Sequence, residues 1–199
     1  MFDLGGVLID WNPRYLYRKL LASEAEVEAF LAEVCTQAWN ECQDAGRTCA
    51  EATAELVARF PEREALIRAY YERWDEMLGG AIDGTVAIVD ELAAGGVPLY
   101  ALSNWSAETF HHARGRFSVL DRFRGIVVSG EEKVIKPDER IFRVLFERHG
   151  VAPDRSIFID DVERNVAAAR ALGMTGIRFE SPAQLRAELA RLGLLEVQT

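Results

Sequence analysis

The spacing of apolar positions predicts a long helical block near the start of the chain. Between residues 13 and 78, apolar side chains recur three and four positions apart, with Glu and Arg between them. This spacing places the apolar residues on one face of a helix. Helices are predicted over residues 13–21, 24–38, 48–59 and 61–78. Gly79 and Gly80 then end the block, because glycine commonly terminates helices.

The rest of the chain has a different pattern, in which short apolar runs alternate with helical segments. Strands are predicted at residues 97–102, 125–129, 156–160 and 175–179. Helices are predicted at residues 85–94, 106–115, 138–149, 162–172 and 182–192. Continuous apolar strands separated by helices indicate a parallel sheet that is covered on both faces.

Together the two patterns predict an α/β fold with a doubly wound, Rossmann-like parallel-sheet core and an inserted all-helical cap. Residues 1–13 and 81–199 would form the core, and residues 14–80 would form the cap after the first strand. That first strand is short, because only Met1 and Phe2 precede Asp3, whereas strands commonly have about five or six residues. We expect either a start upstream of Met1 or a truncated first strand, and we favour the former.

The composition excludes several classes of function. The 199 residues are 49% apolar and 28% charged, as in soluble globular enzymes. The net charge of −9 argues against a nucleic-acid partner, because phosphate backbones attract Lys and Arg. There is no apolar run of about 18 residues and no basic leader, so we expect no membrane partner and a cytoplasmic location. The three cysteines lack a Cys-x-x-Cys spacing, which predicts free buried thiols.

Acidic residues stand where two predicted strands stop. Asp3 follows a short apolar run and precedes two glycines, and Asp160 and Asp161 follow the apolar run that begins at residue 156. The carboxyl ends of parallel strands meet at one edge of the sheet, where open α/β folds bind ligands. Adjacent carboxylates repel one another unless a cation offsets their charge. Asp3 and Asp161 together would therefore suit Mg²⁺, a hard cation that prefers oxygen ligands.

Groups that bind anions are predicted at the same edge of the sheet. Ser103 and Asn104 follow the strand at 97–102, and Lys136 precedes a predicted helix. A serine hydroxyl can donate a hydrogen bond to a phosphoryl oxygen, and the lysine ammonium can neutralise an anion. In combination with a cation, this set of side chains points to phosphoryl transfer.

Four sequence motifs occur in an order that is typical of one enzyme superfamily. They are Phe-Asp-Leu-Gly-Gly-Val-Leu at 2–8, Leu-Ser-Asn at 102–104, Ile-Lys-Pro-Asp at 135–138 and Phe-Ile-Asp-Asp-x-x-x-Asn at 158–165. Over nearly its whole length the chain resembles the haloacid dehalogenase-like hydrolases, in the branch with a small helical cap after the first strand. The resemblance implies a Mg²⁺-dependent phosphatase that acts on a small phosphorylated metabolite through an aspartyl-phosphate intermediate. It leaves the metabolite and the oligomeric state open.

The resemblance also implies roles for the residues that match the family's catalytic motifs. Asp3 corresponds to the nucleophile. Lys136 corresponds to the lysine that steadies the nucleophile and the transferring group. Ser103 and Asn104 correspond to the pair that binds the phosphoryl group.

Metal-binding roles are implied by the same resemblance. Asp3, the main-chain carbonyl of Gly5 and Asp161 would hold Mg²⁺. Asp160 would orient Asp161 or a bound water molecule. Asn165 would fix the loop and would not touch the substrate.

Gly5 departs from the pattern of most phosphatases in the superfamily, which carry there a second Asp that acts as general acid and base. A positioned acid or base contributes about 10²–10⁴-fold in rate. Glycine has no proton to give, so we expect a preference for good leaving groups or the use of another acid. Asp10 is one candidate, although a hinge or helix-capping role is favoured for it. Trp39, near Asp44 and Gly46, is similar to a cap pattern of this branch, and it either faces the substrate or packs in a core.

Two other functions stay open. A 2-haloacid dehalogenase would use the same Asp without a metal, but dehalogenases of this superfamily have a Ser-Asn type fourth motif and an aromatic residue at the Gly5 position. The Asp160–Asp161 pair and Gly5 therefore favour the phosphatase. The other alternative is a weakly active or inactive protein that binds a phosphorylated ligand. Gly5 and the short first strand favour it, whereas Asp3, Lys136 and Asp161 together argue against it.

Overall fold

The computed structural model describes residues 1–196. The first part of the chain contains β1 (Ile9–Trp11), α1 (Arg14–Tyr17), α2 (Glu24–Glu33), α3 (Gln37–Asp44), α4 (Cys49–Arg59), α5 (Glu64–Glu72) and β2 (Leu78–Ala81). The second part contains α6 (Asp83–Ala94), β3 (Tyr100–Ser103), α7 (Phe110–Arg116), β4 (Gly125–Val128), α8 (Ser129–Glu132), α9 (Glu139–His149), β5 (Ile157–Asp160), α10 (Glu163–Ala171), β6 (Thr175–Arg178) and α11 (Pro182–Arg191). Short 3₁₀ turns lie at Pro61–Arg63, Trp74–Met77, Ser118–Arg122 and Pro153–Arg155.

The amino-terminal segment Met1–Asp3 lies in the middle of a parallel sheet. Phe2 pairs with Ala101 of β3 on one side and with Ile159 of β5 on the other. Its amide donates a hydrogen bond to the Tyr100 carbonyl at 2.9 Å. β3 pairs in parallel with β4, and β5 pairs in parallel with β6. The order across the sheet is therefore β4, β3, Met1–Asp3, β5 and β6, which brings the carboxyl ends of the central strands side by side.

Helices cover both faces of this sheet. Leu102 of β3 and Phe158 of β5 pack in one buried cluster with Phe142 of α9. The neighbouring residues Ala101 and Ile159 belong to a second cluster, which includes the buried faces of α6 and α11. Successive side chains of a strand point to opposite faces, so these strands are buried on both sides. The predicted doubly wound α/β fold is confirmed.

The helical block differs from its prediction at several places. The predicted helix at 13–21 shortens to α1. The predicted helix at 24–38 is two helices, because the Thr36 hydroxyl accepts a hydrogen bond from the Trp39 amide at 3.1 Å and caps α3. The predicted helix at 61–78 narrows to α5 between two 3₁₀ turns. Leu78–Ala81, which includes the predicted helix end, forms β2 and pairs antiparallel with β1. The boundaries of the core and the cap stay a prediction.

β1 and β2 form a two-stranded ribbon that connects the parallel sheet to helices α1–α5. The Tyr15 hydroxyl donates a hydrogen bond to the Asp10 carboxylate of β1 at 2.6 Å. A Cβ atom at Gly79 of β2 would collide with the same carboxylate. Asp10 therefore packs within the ribbon, where it has a structural role.

The prediction of free buried thiols is confirmed for two of the three cysteines. Cys35 and Cys49 are buried free thiols, whereas Cys42 is free and exposed. Burial raises the pKa of Cys35 to about 12 and the pKa of Cys49 to about 11, so both thiols stay protonated at neutral pH. In the part of the chain that the structure describes, no helix is both long and apolar enough to cross a membrane.

Candidate active site

Asp3 is held at the carboxyl edge of the sheet by three donors. Its Oδ1 accepts hydrogen bonds from the Leu4 amide at 2.7 Å and from the Ser103 hydroxyl at 2.9 Å. Its Oδ2 lies 3.0 Å from the Lys136 ammonium. The residue is only 7% exposed, and it lines a cleft on its open side. The carboxylate is therefore fixed in one orientation with a face toward the cleft.

Lys136 is a fully buried cation between two carboxylates. Its Nζ lies 2.6 Å from Asp160 and 3.0 Å from Asp3, and it donates a third bond to the Leu102 carbonyl at 2.9 Å. Burial lowers the pKa of Lys136, but the attraction of Asp3 and Asp160 outweighs it and leaves the pKa above its usual range. The side chain is therefore charged at neutral pH and balances part of the negative charge around it.

Asn104 fixes the main chain of Lys136. Its Oδ1 accepts a hydrogen bond from the Lys136 amide at 2.8 Å, and its Nδ2 donates to the Lys136 carbonyl at 3.1 Å. The predicted phosphoryl-binding residue thus also positions the lysine. Asn104 lines the cleft as well, and the second hydrogen of its amide group is available to a ligand there.

Asp160 and Asn165 are hydrogen-bonded to each other, and Asp160 also contacts Lys136. The Asp160 carboxylate accepts hydrogen bonds from Lys136, from the Val162 amide at 2.8 Å and from the Asn165 amide group at 3.0 and 3.1 Å. Both oxygens of Asp160 are therefore occupied by protein donors. This arrangement fits the expected roles of Asp160 as an orienting residue and of Asn165 as a residue that fixes the loop.

A cluster of three carboxylates is suited to a divalent cation. One oxygen from each of Asp3, Asp160 and Asp161 lies within 4.8 Å of the others, and Lys136 is the cation in contact with Asp3 and Asp160. Burial raises the pKa of Asp161, and the nearby charge of Asp160 adds to the increase. For Asp3 too, burial raises the pKa, against the opposing effect of Lys136. The excess negative charge and the oxygen donors fit Mg²⁺.

The two glycines after Asp3 differ in what surrounds them. Gly6 has φ +76°, and a Cβ atom there would lie 2.6 Å from Oδ2 of Asp161. Glycine at this position therefore allows both the left-handed backbone and the close approach of Asp161. A Cβ atom at Gly5 would meet nothing within 4 Å, because Gly5 borders the cleft. A side chain at Gly5 would have room.

The cleft above Asp3 has a volume of about 450 Å³ and one aromatic wall. Trp11 of β1 and Trp74 lie with their ring centroids 5.7 Å apart, and both line the cleft. Their buried indole N–H groups have no hydrogen-bond partner among residues 1–196. The wall therefore offers apolar ring surface to a ligand in the cleft. This wall could not be predicted from the sequence, because no pattern there indicated the ribbon of β1 and β2 that positions Trp11.

Helix α3 contributes a buried carboxylate, Asp44, to the opposite side of the cleft. Asp44 is 7% exposed and lines the cleft together with Asp3. The sequence signal was the stretch from Trp39 to Gly46, for which core packing of Trp39 was one of the two expectations. Trp39 is packed in a core, with its ring edge against Tyr70 and its indole N–H donating to the Ala52 carbonyl at 3.3 Å. Asp44, and not Trp39, faces the cleft.

Comparison with known proteins identifies the family. The model of the haloacid dehalogenase-like hydrolases matches residues 1–173, which include every site residue described above. The chain belongs to this hydrolase family. The sesquiterpene phosphatase astK of Aspergillus oryzae is 26% identical to it over 192 residues, or 96% of this chain and 94% of astK. Other curated relatives are longer proteins, of which the chain spans 10% and 36%.

Solved structures of haloacid dehalogenase-like enzymes share the fold. An enzyme of Bacteroides thetaiotaomicron, in complex with magnesium and inorganic phosphate, is 25% identical with a TM-score of 0.67, over 90% of this chain and 92% of that one. The L-2-haloacid dehalogenase of Xanthobacter autotrophicus, with chloropropionic acid covalently bound, is 17% identical with a TM-score of 0.65, over 98% and 82% of the two chains. Since the fold is common to both enzymes, the site's side chains have to distinguish their reactions.

Proposed function

We propose that the protein is a Mg²⁺-dependent phosphatase that hydrolyses a small phosphomonoester through an aspartyl-phosphate on Asp3. The observation that carries this proposal is the setting of the Asp3 carboxylate. It is held by the Ser103 hydroxyl and the Lys136 ammonium at the edge of a cleft that also contains Asp161. A fixed carboxylate among anion-binding donors suits nucleophilic attack on a phosphoryl group.

In the proposed reaction, Asp3 attacks phosphorus, the alcohol leaves, and water then hydrolyses the acyl phosphate. Lys136 holds the attacking carboxylate in place and offsets charge on the transferring group. Asn104 donates a hydrogen bond to a phosphoryl oxygen, and the Ser103 hydroxyl turns its one hydrogen from Asp3 to another phosphoryl oxygen when the substrate binds. Asp3, the Gly5 carbonyl and Asp161 would hold Mg²⁺, which would supply positive charge beside the transferring phosphoryl group.

The cleft also supports a proposal about the substrate. Residues 14–80 act as a cap over a core of residues 1–13 and 81–199, and the leaving group lies against Trp11 and Trp74. Aromatic ring surfaces bind apolar or ring-shaped alcohols. The name of the relative astK, a sesquiterpene phosphatase, supports a substrate with an apolar part. The B. thetaiotaomicron complex with magnesium and inorganic phosphate supports the metal and the phosphoryl site.

The proposed function is tested with p-nitrophenyl phosphate as substrate and 2-chloropropionate as a parallel substrate. We expect nitrophenolate release that requires Mg²⁺ and stops when EDTA is added. Chloride release from 2-chloropropionate without metal would instead identify a dehalogenase. If neither substrate reacts but inorganic phosphate binds in a Mg²⁺-dependent way, the protein is a phospho-ligand-binding protein and the proposal fails.

The contact between Gly6 and Asp161 gives a prediction about the metal. Gly6→Ala forces Asp161 away, because the new Cβ atom would lie 2.6 Å from its Oδ2. We expect Mg²⁺ affinity, measured by isothermal titration calorimetry, to fall by about 10–100-fold, as when the residues that orient metal ligands are changed.

Gly96→Ala is a matched control for this prediction. Gly96 has φ +77°, nearly the same as Gly6, but a Cβ atom there would meet nothing within 4 Å. The two variants therefore share the backbone strain and differ in the contact with Asp161. Equal Mg²⁺ affinities for both variants would show that Asp161 does not bind the metal.

A further inference from the structure

Asp44 is a buried carboxylate that the proposed reaction has not used. It lies in the last turn of α3, on the helical side of the cleft, while Asp3 lies on the sheet side. The main chain of Asp44 is tied to the core, because the Ser129 hydroxyl donates to its carbonyl at 2.6 Å. Its side chain accepts a hydrogen bond from the Asn40 amide group at 3.3 Å. The carboxyl group is therefore held in place between the helical block and the sheet.

The surroundings of Asp44 differ from those of the carboxylates that hold the site together. Asp3 and Asp160 are paired with Lys136, whereas the structure records no ion pair for Asp44 within residues 1–196. Burying a carboxylate without a paired cation is costly, so such a group readily takes up a proton. A carboxyl group that gains and loses a proton beside a reacting centre can serve as an acid and as a base.

We propose that Asp44 is the general acid and general base of the reaction, in place of the side chain that Gly5 lacks. This inference rests on the proposed phosphatase function. In the proposed reaction Asp3 attacks from the sheet side of the cleft, and Asp44 meets the leaving oxygen from α3. Attack on phosphorus requires the entering and leaving oxygens to be roughly in line, so the ester oxygen would point away from Asp3, toward the helical side of the cleft that carries Asp44.

The protons balance over the two steps. In the first step Asp3 forms a bond to phosphorus, the bond from phosphorus to the ester oxygen breaks, and protonated Asp44 gives its proton to that oxygen to form the alcohol. In the second step the Asp44 carboxylate takes a proton from water while the water oxygen attacks phosphorus. The bond from Asp3 to phosphorus then breaks, which releases phosphate and restores Asp3 as a carboxylate and Asp44 in its protonated form.

The charges around Asp44 fit this dual role. Burial, together with the charges of Glu41 and Asp3, raises the pKa of Asp44 to about 7, against the lowering effect of the Ser106 backbone and of Lys136. A pKa near the working pH gives an acid and base catalyst both of its protonation states. Glu41 is itself paired with Arg164, and Arg164 also lines the cleft.

The test compares two substrates of similar shape, p-nitrophenyl phosphate and benzyl phosphate. Nitrophenolate leaves without a proton, whereas benzyl alkoxide needs one. We expect Asp44→Asn to slow benzyl phosphate hydrolysis by about 10²–10⁴-fold, the usual contribution of a positioned acid. With p-nitrophenyl phosphate we expect a rapid burst of nitrophenolate, close in rate to that of the parent, followed by slow turnover, because the second step lacks its base. Asp44→Ser, a second variant without a titratable group, should behave in the same way.

Gly5→Asp provides a rescue experiment. The position has room for a side chain, and an Asp there would occupy the place of the family's usual acid. We expect Gly5→Asp to restore benzyl phosphate hydrolysis in the Asp44→Asn background by at least about tenfold, and to add little in the parent, where Asp44 already provides the proton. Asp10→Asn, in the β1–β2 ribbon, is the matched control and should leave the ratio of the two substrates' rates unchanged.

Three results would overturn the inference. An equal loss with both substrates, with no burst, would mean that Asp44 has only a structural role. Undiminished benzyl phosphate hydrolysis in Asp44→Asn would mean that the proton comes from another group. A parent protein that hydrolyses neither substrate would overturn the proposed function itself, and this inference with it, so the two failures are distinguished by the parent's activity.

Discussion

Asp3→Asn is expected to abolish phosphatase turnover while the protein stays folded. The amide cannot form the acyl phosphate, so the loss should reach at least about 10⁴-fold, as for other catalytic nucleophiles. The fold should tolerate the change, because Asn keeps a side-chain oxygen for the Leu4 amide and the Ser103 hydroxyl. Lys136 also keeps its contact with Asp160. Steady-state kinetics with p-nitrophenyl phosphate and thermal unfolding measure the two parts of this prediction.

Asp154→Asn is the control for this variant. Asp154 is exposed and lies in the turn before β5, at the end of that strand opposite Asp160. The same chemical change there should leave turnover within about twofold, since surface substitutions away from special features have little effect. If Asp3→Asn retains a tenth or more of the parent's activity, Asp3 is not the nucleophile.

Lys136→Met is expected to destabilise the protein strongly and to remove its activity. Met is close to lysine in size but leaves the buried Asp3 and Asp160 carboxylates without their cation. Loss of one partner from a buried ion pair costs about 3–5 kcal/mol. For a chain of this length, that corresponds to a fall in melting temperature of roughly 6–20 °C. Differential scanning calorimetry at neutral pH measures the shift.

The pH dependence of the stability lost in Lys136→Met distinguishes the missing ammonium charge from the missing packing contacts of the lysine. Lys136 lowers the pKa of Asp3 against the raising effect of burial, so its removal raises the pKa of Asp3 further. When a carboxyl group has a higher pKa in the folded state than in the unfolded state, the protein loses stability as the pH rises from the unfolded-state pKa to the folded-state pKa. The deficit of Lys136→Met relative to the parent should therefore be larger at pH 8 than at pH 5. A deficit that is independent of pH would mean that the lost contacts of the lysine stem explain it.

Lys19→Met is the matched control for the charge argument. Lys19 pairs with Glu76 at 2.8 Å, but the two side chains are 54% and 32% exposed, whereas Lys136 is fully buried. Exposed ion pairs contribute about 0–1 kcal/mol. A melting temperature for Lys136→Met as high as that for Lys19→Met would contradict the role given to the buried lysine.

The residues at the carboxyl edge of the sheet could be predicted from the sequence because local patterns mark the strands that carry them. Continuous apolar runs mark β3 and β5, and polar residues mark the points at which those strands end. Since the carboxyl ends of parallel strands lie together, Ser103 and Asp160 were expected to be near each other and near Asp3. The structure brings these residues and Lys136 into contact.

Other features depend on contacts that no local pattern records. β2 was missed because Gly79 and Gly80 are typical of a helix end, and the strand exists through its pairing with β1. Two apolar residues before Asp3 are too few to predict a central strand, and Phe2 occupies that place through bridges to Ala101 and Ile159.

The contacts of individual side chains also could not be predicted from the sequence. Asn104 was expected to bind the phosphoryl group, but its two hydrogen bonds to the Lys136 main chain arise from tertiary structure. The carboxylate of Asp44 could be assigned to the cleft only after the packing of α3 against α8 was known.

The most direct test of the proposed mechanism is a search for a phosphoryl group on Asp3. The Asp44→Asn protein is mixed with p-nitrophenyl phosphate and Mg²⁺, quenched in acid within the burst, digested, and analysed by mass spectrometry. We expect the mass of one phosphoryl group on the peptide that contains Asp3, and its absence from Asp3→Asn treated in the same way. A burst of nitrophenolate with no phosphoryl group on that peptide, or with the group on another residue, would contradict the role of Asp3 as the nucleophile.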